Sequence, residues 1–241
     1  MVTNKYKTLE YNLNRILDEE VCKIKASVEK YISANKSKGI SQMIGRRYGY
    51  IWERLVIETF KFSEYVKLED RVLYKDYVEK WIDTKASEIK NECCIHSVKN
   101  IINKFLEENT GTDQQDLCDF TIEENNSDVK YGIDTKFRFV SNDSNTVREI
   151  ADSARHLKFM VYNPILLFRK DREDSLKSPL NRFEKEGWDL KCGKYAIDFI
   201  TKKTGFNLGK WIDQNIDIWN ELKDYQDKLK DLRFDEENWK F

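Results

Sequence analysis

Two acidic residues and a lysine lie in adjacent segments whose composition is typical of β-strands. Asp119 interrupts the apolar run 117–122, and Asp134 and Lys136 lie two residues apart in the segment 131–139. Because side chains alternate between the faces of a strand, Asp134, Lys136 and Arg138 share one face. The opposite face carries Ile133, Thr135, Phe137 and Phe139. The sequence therefore predicts a buried face and a charged face, with both acids and the lysine converging on one spot.

Two converging carboxylates repel each other unless a cation or a proton lies between them. Oxygen ligands with open coordination positions suit Mg²⁺, which retains waters and binds phosphate readily. A nearby lysine then steers or deprotonates an attacking water, and metal and lysine together stabilise the charge that develops on phosphoryl oxygens. These residue types are therefore suited to phosphodiester hydrolysis.

The pattern resembles the signature of the PD-(D/E)xK nucleases, in which an Asp before or in one strand is followed by an acid, any residue and Lys in the next. Asp119 matches the first Asp and Asp134–Lys136 matches the second element, although Cys118 replaces the usual Pro. The resemblance implies that Asp119, Asp134 and the main-chain carbonyl of Thr135 hold Mg²⁺, for which Mn²⁺ is a substitute. It also implies that Lys136 serves the water.

The resemblance further implies a glutamate on a helix before the sheet that completes the metal shell. Glu53 is in the fitting place, and Glu58 is the alternative. Asp116 lies close enough to Asp119 in the sequence to compete with it. Because the chain is compact and carries no helicase, methyltransferase or zinc module, it is most similar to a type II restriction endonuclease, a step that rests on analogy.

The tetrapeptide at 82–85 repeats the one at 133–136 letter for letter and provides an internal comparison. The first copy lies in a helical pattern, where residues i and i+2 point to different sides, and no strand-borne Asp precedes it. Only the second copy is therefore predicted to form the site. The alternative for the second copy is a set of surface charges on an exposed sheet face.

Apolar residues at intervals of three and four predict helices in the first half of the chain, and alternating or β-branched runs predict strands in the middle. Helices are predicted at 6–32, 43–60, 71 to about 108, 146–160, 179–186, up to Lys203, and in one long C-terminal run from Leu208 to about Arg233. Strands are predicted at 65–68, 117–123, 129–140 and 164–168, with a short segment at 188–192.

This order predicts an α/β (α+β) fold, with a restriction-endonuclease-like mixed central sheet flanked by helices. We predict a single domain over 1–241, with a helical N-terminal part (1–110), a catalytic sheet core (111–170) and a C-terminal helical part (171–241). The acidic C-terminal stretch after Asp213 is expected to face away from DNA and to pack on the core or on a second subunit.

The formal net charge is −1, so any nucleic acid must be bound by local basic patches. One such patch is the segment 36–54, where tyrosine and tryptophan are interleaved with basic residues as phosphate contacts require. The candidates for DNA contact are Arg46, Arg47, Arg138, Arg155, Arg169, Arg172, Lys177, Asn181 and Arg182. For the residues on helices, a solvated helix face is the alternative, and for Arg155 with His156 it competes with a position facing the scissile phosphate.

Several function classes are excluded by missing patterns. The five cysteines contain no C-x-x-C pair, so we expect reduced thiols and no zinc site. The first residues lack an apolar targeting core and no window suits a membrane span, so we expect a soluble, cytoplasmic protein with no membrane partner. No G-x-x-x-x-G-K-[ST] motif occurs, so ATP dependence is not expected.

The leading hypothesis is a homodimeric enzyme that hydrolyses both strands of double-stranded DNA at a short specific site, as part of a restriction system. A structure-specific or repair nuclease with the same centre is one alternative. A non-catalytic DNA-binding protein that retains the fold is the other.

Overall fold

The computed structural model of the chain describes residues 2–34, 39–88, 100, 116–141, 143–231 and 240–241. A long helix, α1 (Val2–Ser33), packs against α2 (Ile40–Lys61). Their contact is made by aliphatic side chains spaced three and four residues apart, of which Leu13, Ile24 and Ile51 are fully buried. Both helices agree with the sequence prediction, because one apolar stripe on each is enough to define the element.

Five strands of the described residues form one mixed sheet in the order β1-β2-β3-β4-β5. They are β1 (Val66–Glu69), β2 (Phe120–Glu124), β3 (Lys130–Lys136), β4 (Asn163–Phe168) and β5 (Asp189–Cys192). The pairs β1/β2 and β2/β3 are antiparallel, whereas β3/β4 and β4/β5 are parallel. The start of β2 therefore lies beside the carboxyl end of β3.

The remaining helices connect or follow the strands. They are α3 (Tyr74–Glu88), α4 (Ser144–Phe159), α5 (Lys177–Glu186), α6 (Lys194–Thr204), α7 (Leu208–Asn215), α8 (Ile218–Glu221) and α9 (Gln226–Asp231), with 3₁₀ turns at Arg172–Asp174 and Lys223–Tyr225. Helix α4 links the parallel strands β3 and β4, and Asp143 caps its first turn by accepting a hydrogen bond from the Asn145 N–H.

Two hydrophobic clusters cover the two faces of the sheet. Ile165 and Leu167 of β4 face the first cluster with α1, α2 and the C-terminal helices, and Leu166 and Phe168 face the second cluster with α4 and α5. A strand that is apolar on both faces is typical of the buried, parallel part of a sheet. The predicted α/β architecture with a mixed sheet flanked by helices is confirmed at this level.

The predicted long C-terminal helix is wrong. The chain leaves the helical path at Ile216, and Asp217 caps α8 by accepting a hydrogen bond from the Asn220 N–H. Because a capping aspartate competes with helix continuation, periodic apolar spacing across this point does not guarantee one helix. Ile218 and Leu222 are nevertheless buried in the first cluster, so this stretch packs on the core as predicted.

Two other boundaries differ from the prediction. The helix predicted from Arg71 begins at Tyr74, since Leu73 instead forms an isolated bridge with Asp116. The rest of that predicted helix, 89–99 and 101–108, lies outside the described residues. Strand β2 begins at Phe120, so Asp119 immediately precedes it.

None of the helices in the described parts of the chain is long and apolar enough to cross a membrane.

Candidate active site

Asp119 is held against β3 by three hydrogen bonds. Its Oδ2 accepts from the main-chain N–H of Thr135 and from Thr135 Oγ1, each at 2.7 Å. Its own N–H donates to the Ile133 carbonyl at 2.9 Å. The loop before β2 therefore presents this carboxylate at the carboxyl end of β3.

Asp134 and Lys136 form an ion pair on the neighbouring strand, with Lys136 Nζ donating to Asp134 Oδ1 at 2.5 Å. They lie opposite Leu166 and Phe168 of β4 and so face the second cluster. Asp134 is only 8% exposed, whereas the Lys136 side chain keeps 29% of its area exposed. The charged face of β3 is therefore covered rather than exposed, and the reading of Asp134 as an ordinary surface charge is wrong.

The predicted division of the segment 131–139 into two faces holds as far as Phe137 and fails at Phe139. Ile133 and Phe137 lie in the first cluster, as expected from alternation. Phe139, predicted on the same face, lies in the second cluster and packs edge-on against Phe183. The strand ends at Lys136, so the period of two no longer applies.

Burial sets the protonation behaviour of the pair. It raises the pKa of Asp134 to about 7, with the Asp119 carboxylate adding to the shift and Lys136 opposing it. Burial alone would lower the pKa of Lys136, but the carboxylates of Asp134, Asp119 and Glu53 outweigh it and raise that pKa. Lys136 therefore remains an ammonium at neutral pH.

A pocket of about 250 Å³ opens at this point. Its lining residues are Asp116, Leu117, Cys118, Asp119, Asp134, Lys136, Glu149, Ile150 and Ser153. Four acids and one lysine give the lining a negative balance, which favours a cation. The wall formed by α4 was missed by the sequence reasoning, although the spacing of 149, 150 and 153 is that of one helix face.

Glu53 approaches the site from α2. The preceding residue, Trp52, is fully buried, and its indole N–H donates to the Leu167 carbonyl at 3.0 Å, which fixes α2 over β4. Burial raises the pKa of Glu53, with the Asp119 carboxylate adding to the shift and Lys136 opposing it. The Glu53 carboxylate therefore interacts electrostatically with Asp119 and Lys136.

Glu58, the alternative to Glu53, faces a different element. Its carboxylate accepts hydrogen bonds from Asn12 of α1 at 2.8 Å and from Lys61 at 3.2 Å. Asp116, the alternative to Asp119, lines the pocket but pairs with Arg71 at 2.5 Å. The structure thus places Asp119 at the end of β3 and directs Glu58 to α1. Glu53 interacts electrostatically with Asp119 and Lys136 but is not among the residues that line the pocket.

Burial and ring contacts limit the chemistry of two other groups, Cys118 in the pocket and His156 on α4 outside its lining. Cys118 is buried, which raises the pKa of its thiol to about 12 and keeps it protonated. His156 stacks on Tyr77, with ring centroids 4.1 Å apart, and burial lowers its pKa. His156 is therefore a neutral packing group on the face of α4 that meets α3.

The first copy of the tetrapeptide, at 82–85, is helical as predicted, within α3. Ile82 is buried at 4% exposure, and the three residues that follow it are exposed. Local structure thus separates two identical four-residue sequences, one on a covered strand and one on a helix surface.

Two arginines of the predicted basic patch at 36–54 form ion pairs with α1, whereas the patch residues 36–38 lie outside the described part of the chain. Arg47 pairs with Glu20 at 3.5 Å, and Arg54 pairs with Glu19 at 2.7 Å and with Glu20 at 2.8 Å. Two of its interleaved aromatic residues, at 48 and 52, are core residues with at most 1% exposure. Arg46 remains exposed and lines a pocket of about 300 Å³ with Tyr31, Gly39, Gln42, Met43, Arg47 and Tyr50.

The other DNA-contact candidates divide into paired and unpaired groups. Arg155 forms ion pairs with Asp152 and Glu186, so it faces α5 and not the pocket. Arg172 pairs with Glu184 at 2.6 Å and donates to Asn181 at 3.2 Å. The exposed candidates are Arg138, Lys177 and Arg182, and Arg169 is half-buried.

Comparison of the chain with protein-family models, with curated proteins and with solved structures finds no match. Within the described residues, no group of three or more His, Cys, Asp or Glu side chains is arranged to hold a metal ion.

Proposed function

We propose that the chain is a magnesium-dependent endodeoxyribonuclease of the PD-(D/E)xK class, with Asp119, Asp134, Lys136 and Glu53 at its centre. The observation that carries the proposal is the convergence of Asp119 and the Asp134–Lys136 pair in one pocket at the carboxyl end of β3. Buried like charges raise the free energy of a fold, and they persist where a site requires them. The β2–β3–α4–β4 order also fits the core of that superfamily.

The donor set fits Mg²⁺. This ion binds through one or two carboxylates and keeps several waters, so it needs no cage of three protein ligands. Asp119 and Asp134 would supply carboxylate oxygens from the pocket, and Glu53, which does not line the pocket, is the candidate for a third from α2. The Thr135 carbonyl also fits. The Lys136 carbonyl points toward β4, where it accepts from the Arg169 N–H, so alternation points the Thr135 carbonyl to the opposite side, toward Asp119. When bound, Mg²⁺ supplies Lewis acidity to a phosphoryl oxygen and acidifies a water.

Lys136 acts as a cationic hydrogen-bond donor in this proposal. Its raised pKa keeps the ammonium at neutral pH, so it orients the attacking water or donates to a non-bridging phosphate oxygen and does not act as the base. Asp134 accepts from Lys136 and keeps the ammonium directed into the pocket. In the reaction a water oxygen–phosphorus bond forms as a phosphorus–ester oxygen bond breaks, with the proton of the water passing to solvent and the leaving oxygen taking one up from solvent.

The chain offers its own matched control for this proposal. Asp134→Asn and Lys136→Ala should each lower cleavage of supercoiled plasmid in Mg²⁺ by at least about 100-fold, a magnitude typical of removing a charge-stabilising group. Asp83→Asn and Lys85→Ala change the same residue types in the identical tetrapeptide and should leave cleavage unchanged. Absence of cleavage by the wild-type chain across DNA substrates would favour the non-catalytic DNA-binding alternative.

The finer assignment to type II restriction, with a homodimer cutting a palindromic site, rests on analogy and on the two-fold symmetry of DNA. Digestion of plasmids with mapped ends tests it. Discrete fragments with one recurring sequence at their ends support restriction. Cutting confined to branched or flapped substrates supports a structure-specific or repair nuclease with the same centre.

A further inference from the structure

Three basic side chains emerge together just beyond Lys136, at the carboxyl ends of β3 and β4. The Arg169 N–H donates to the Lys136 carbonyl at 3.0 Å, and the Lys170 N–H donates to the Phe137 carbonyl at 3.0 Å. Main-chain pairing thus continues past the ends of both strands. Arg138 follows Phe137 on this paired segment, so Arg138, Arg169 and Lys170 all lie at the carboxyl ends of β3 and β4.

Carboxylates do not neutralise this cluster as they do other basic residues. In the described part of the chain, no acid lies within ion-pairing distance of Arg138, Arg169 or Lys170, whereas Arg155 and Arg172 are paired. The Nε of Arg169 is buried and has no hydrogen-bond partner among the described atoms. A buried donor without a partner is costly, and an acceptor at this position would offset the cost.

The surroundings concentrate the charge. Burial lowers the pKa of Lys170, and the positive charges of Arg169, Arg138 and Lys240 lower it further, with Asp174 opposing them. Aromatic rings support the side chains: Lys170 Nζ lies 5.5 Å from the Phe137 centroid, and Arg169 Cζ lies 5.7 Å from that of Phe241. The cations are thus held close together despite their mutual repulsion.

We propose that Arg138, Arg169 and Lys170 form a binding site for a phosphodiester group of the DNA backbone, beside the group that is cleaved. The identification of the anion as a DNA phosphodiester rests on the proposed function. The cluster lies next to the proposed centre, because the Arg169 N–H donates to the Lys136 carbonyl. Guanidinium groups bind phosphate in a bidentate manner and an ammonium adds a point charge. Lys170, which sequence reasoning did not select, is assigned as the central cation of this cluster.

The test measures binding of the full chain to a short DNA duplex in EDTA, where no cleavage occurs, over a range of salt concentrations. Each protein–phosphate contact contributes about 0.9 to the slope of log K against log salt. Lys170→Met keeps the apolar stem and removes the charge, and Arg138→Gln removes its neighbour. Each should weaken binding and reduce the slope by about 1.

Two further variants make the result decisive. Lys202→Ala removes an exposed lysine from the last turn of α6 and should leave the slope unchanged. The neighbouring Lys203 bonds to Tyr131 near the start of β3, so this turn lies at the opposite end of the strands. Lys170→Arg should restore the wild-type slope. An unchanged slope in Lys170→Met, an equal loss in Lys202→Ala, or no rescue by Lys170→Arg each overturns the site.

The two proposals fail separately. If Lys170→Met weakens salt-dependent binding but the wild type does not cleave DNA in Mg²⁺, the nuclease function is refuted and the anion site is supported. If the wild type cleaves DNA in Mg²⁺ but Lys170→Met leaves the salt slope unchanged, the anion site is refuted and the nuclease function is supported. A wild-type chain that binds no duplex even at low salt overturns the anion site.

Discussion

Thr135 donates two hydrogen bonds to one carboxylate oxygen of Asp119, from its main-chain N–H and from Oγ1 at 2.7 Å each. Thr135→Val keeps the shape and the main-chain bond but removes the hydroxyl donor. Because the residue is buried and the acceptor is a carboxylate, we expect the free energy of unfolding to fall by about 1–3 kcal/mol. Urea denaturation measures this change, and plasmid cleavage should fall with it.

Thr135→Ser provides the control, since it retains the hydroxyl and loses only a methyl group. We expect it to keep most of the stability and activity that Thr135→Val loses. Equal losses in the two variants would mean that the methyl contact, and not the hydrogen bond to Asp119, matters at this position.

Divalent cations should stabilise the fold through the Asp119–Asp134 pair. A ligand that binds only the folded state adds about 2.7 kcal/mol at a concentration 100 times its Kd. We therefore expect Mg²⁺ to raise the Tm of the wild-type chain and to have little effect on Asp119→Asn or Asp134→Asn. Differential scanning calorimetry with and without Mg²⁺ checks this without any DNA.

Asp83→Asn should retain the full Mg²⁺ response, because it lies on the surface of α3. A Tm rise of the same size in Asp134→Asn as in the wild type would place the cation elsewhere on the chain. That outcome would count against the metal assignment even if cleavage depended on Mg²⁺.

Gly132 is required on β3 by the close approach of α4. A Cβ at this position would lie 2.8 Å from Leu157 Cδ2 and 2.9 Å from Cδ1, and Leu157 is fully buried. Overpacking of this kind costs about 1–3 kcal/mol, so Gly132→Ala should lower the free energy of unfolding by that amount. Chemical denaturation measures it directly.

The matched test of that clash is a double-mutant cycle with Leu157→Ala. The single Leu157→Ala variant should cost about 2–5 kcal/mol through the cavity it leaves. If the two side chains clash, the added methyl of Gly132→Ala enters that cavity, and the double variant costs less than the sum. Strict additivity would show that the cost of Gly132→Ala comes from the backbone instead.

Local pattern was sufficient for some parts of the molecule. The period of two put Asp134 and Lys136 on one face of β3, and apolar stripes gave α1 and α2, because each feature depends on neighbours in the sequence. The break at Asp217 was missed because the apolar period continues through it while a capping side chain ends the helical path.

Contacts between distant elements decide the remaining features. Arg47 and Arg54 looked like free cations in their own segment, yet the packing of α1 against α2 brings the buried Glu20 to both. Burial of Asp134 depends on α4 covering the sheet, which alternation alone does not reveal. Sequence patterns thus identified the candidate residues of the pocket, whereas tertiary packing determined which charges remain available.

The lysine–carboxylate contact at the far end of the sheet should control stability in acid. Glu124 of β2 accepts hydrogen bonds from Lys203 first, and also from Ser127 and Tyr131, and these lower its pKa from an ordinary 4.5 to about 2. A carboxylate with a lowered pKa in the folded state stabilises that state above pH 4.5, and the contribution is lost as pH falls toward 2. Glu124→Gln should therefore destabilise the fold at neutral pH and weaken the acid dependence.

Urea denaturation of both proteins between pH 7 and pH 2 checks the sign, because the difference between the wild type and Glu124→Gln should be largest above pH 4.5 and vanish near pH 2. Glu123→Gln is the matched control: the adjacent Glu123 pairs with Lys130 at 3.0 Å, where both side chains are 30% or more exposed. Solvent screens such a pair, so its loss should change stability by less than about 1 kcal/mol. A constant difference between wild type and Glu124→Gln across this range would mean that packing of the Glu124 stem, and not its charge, holds α6 to β2.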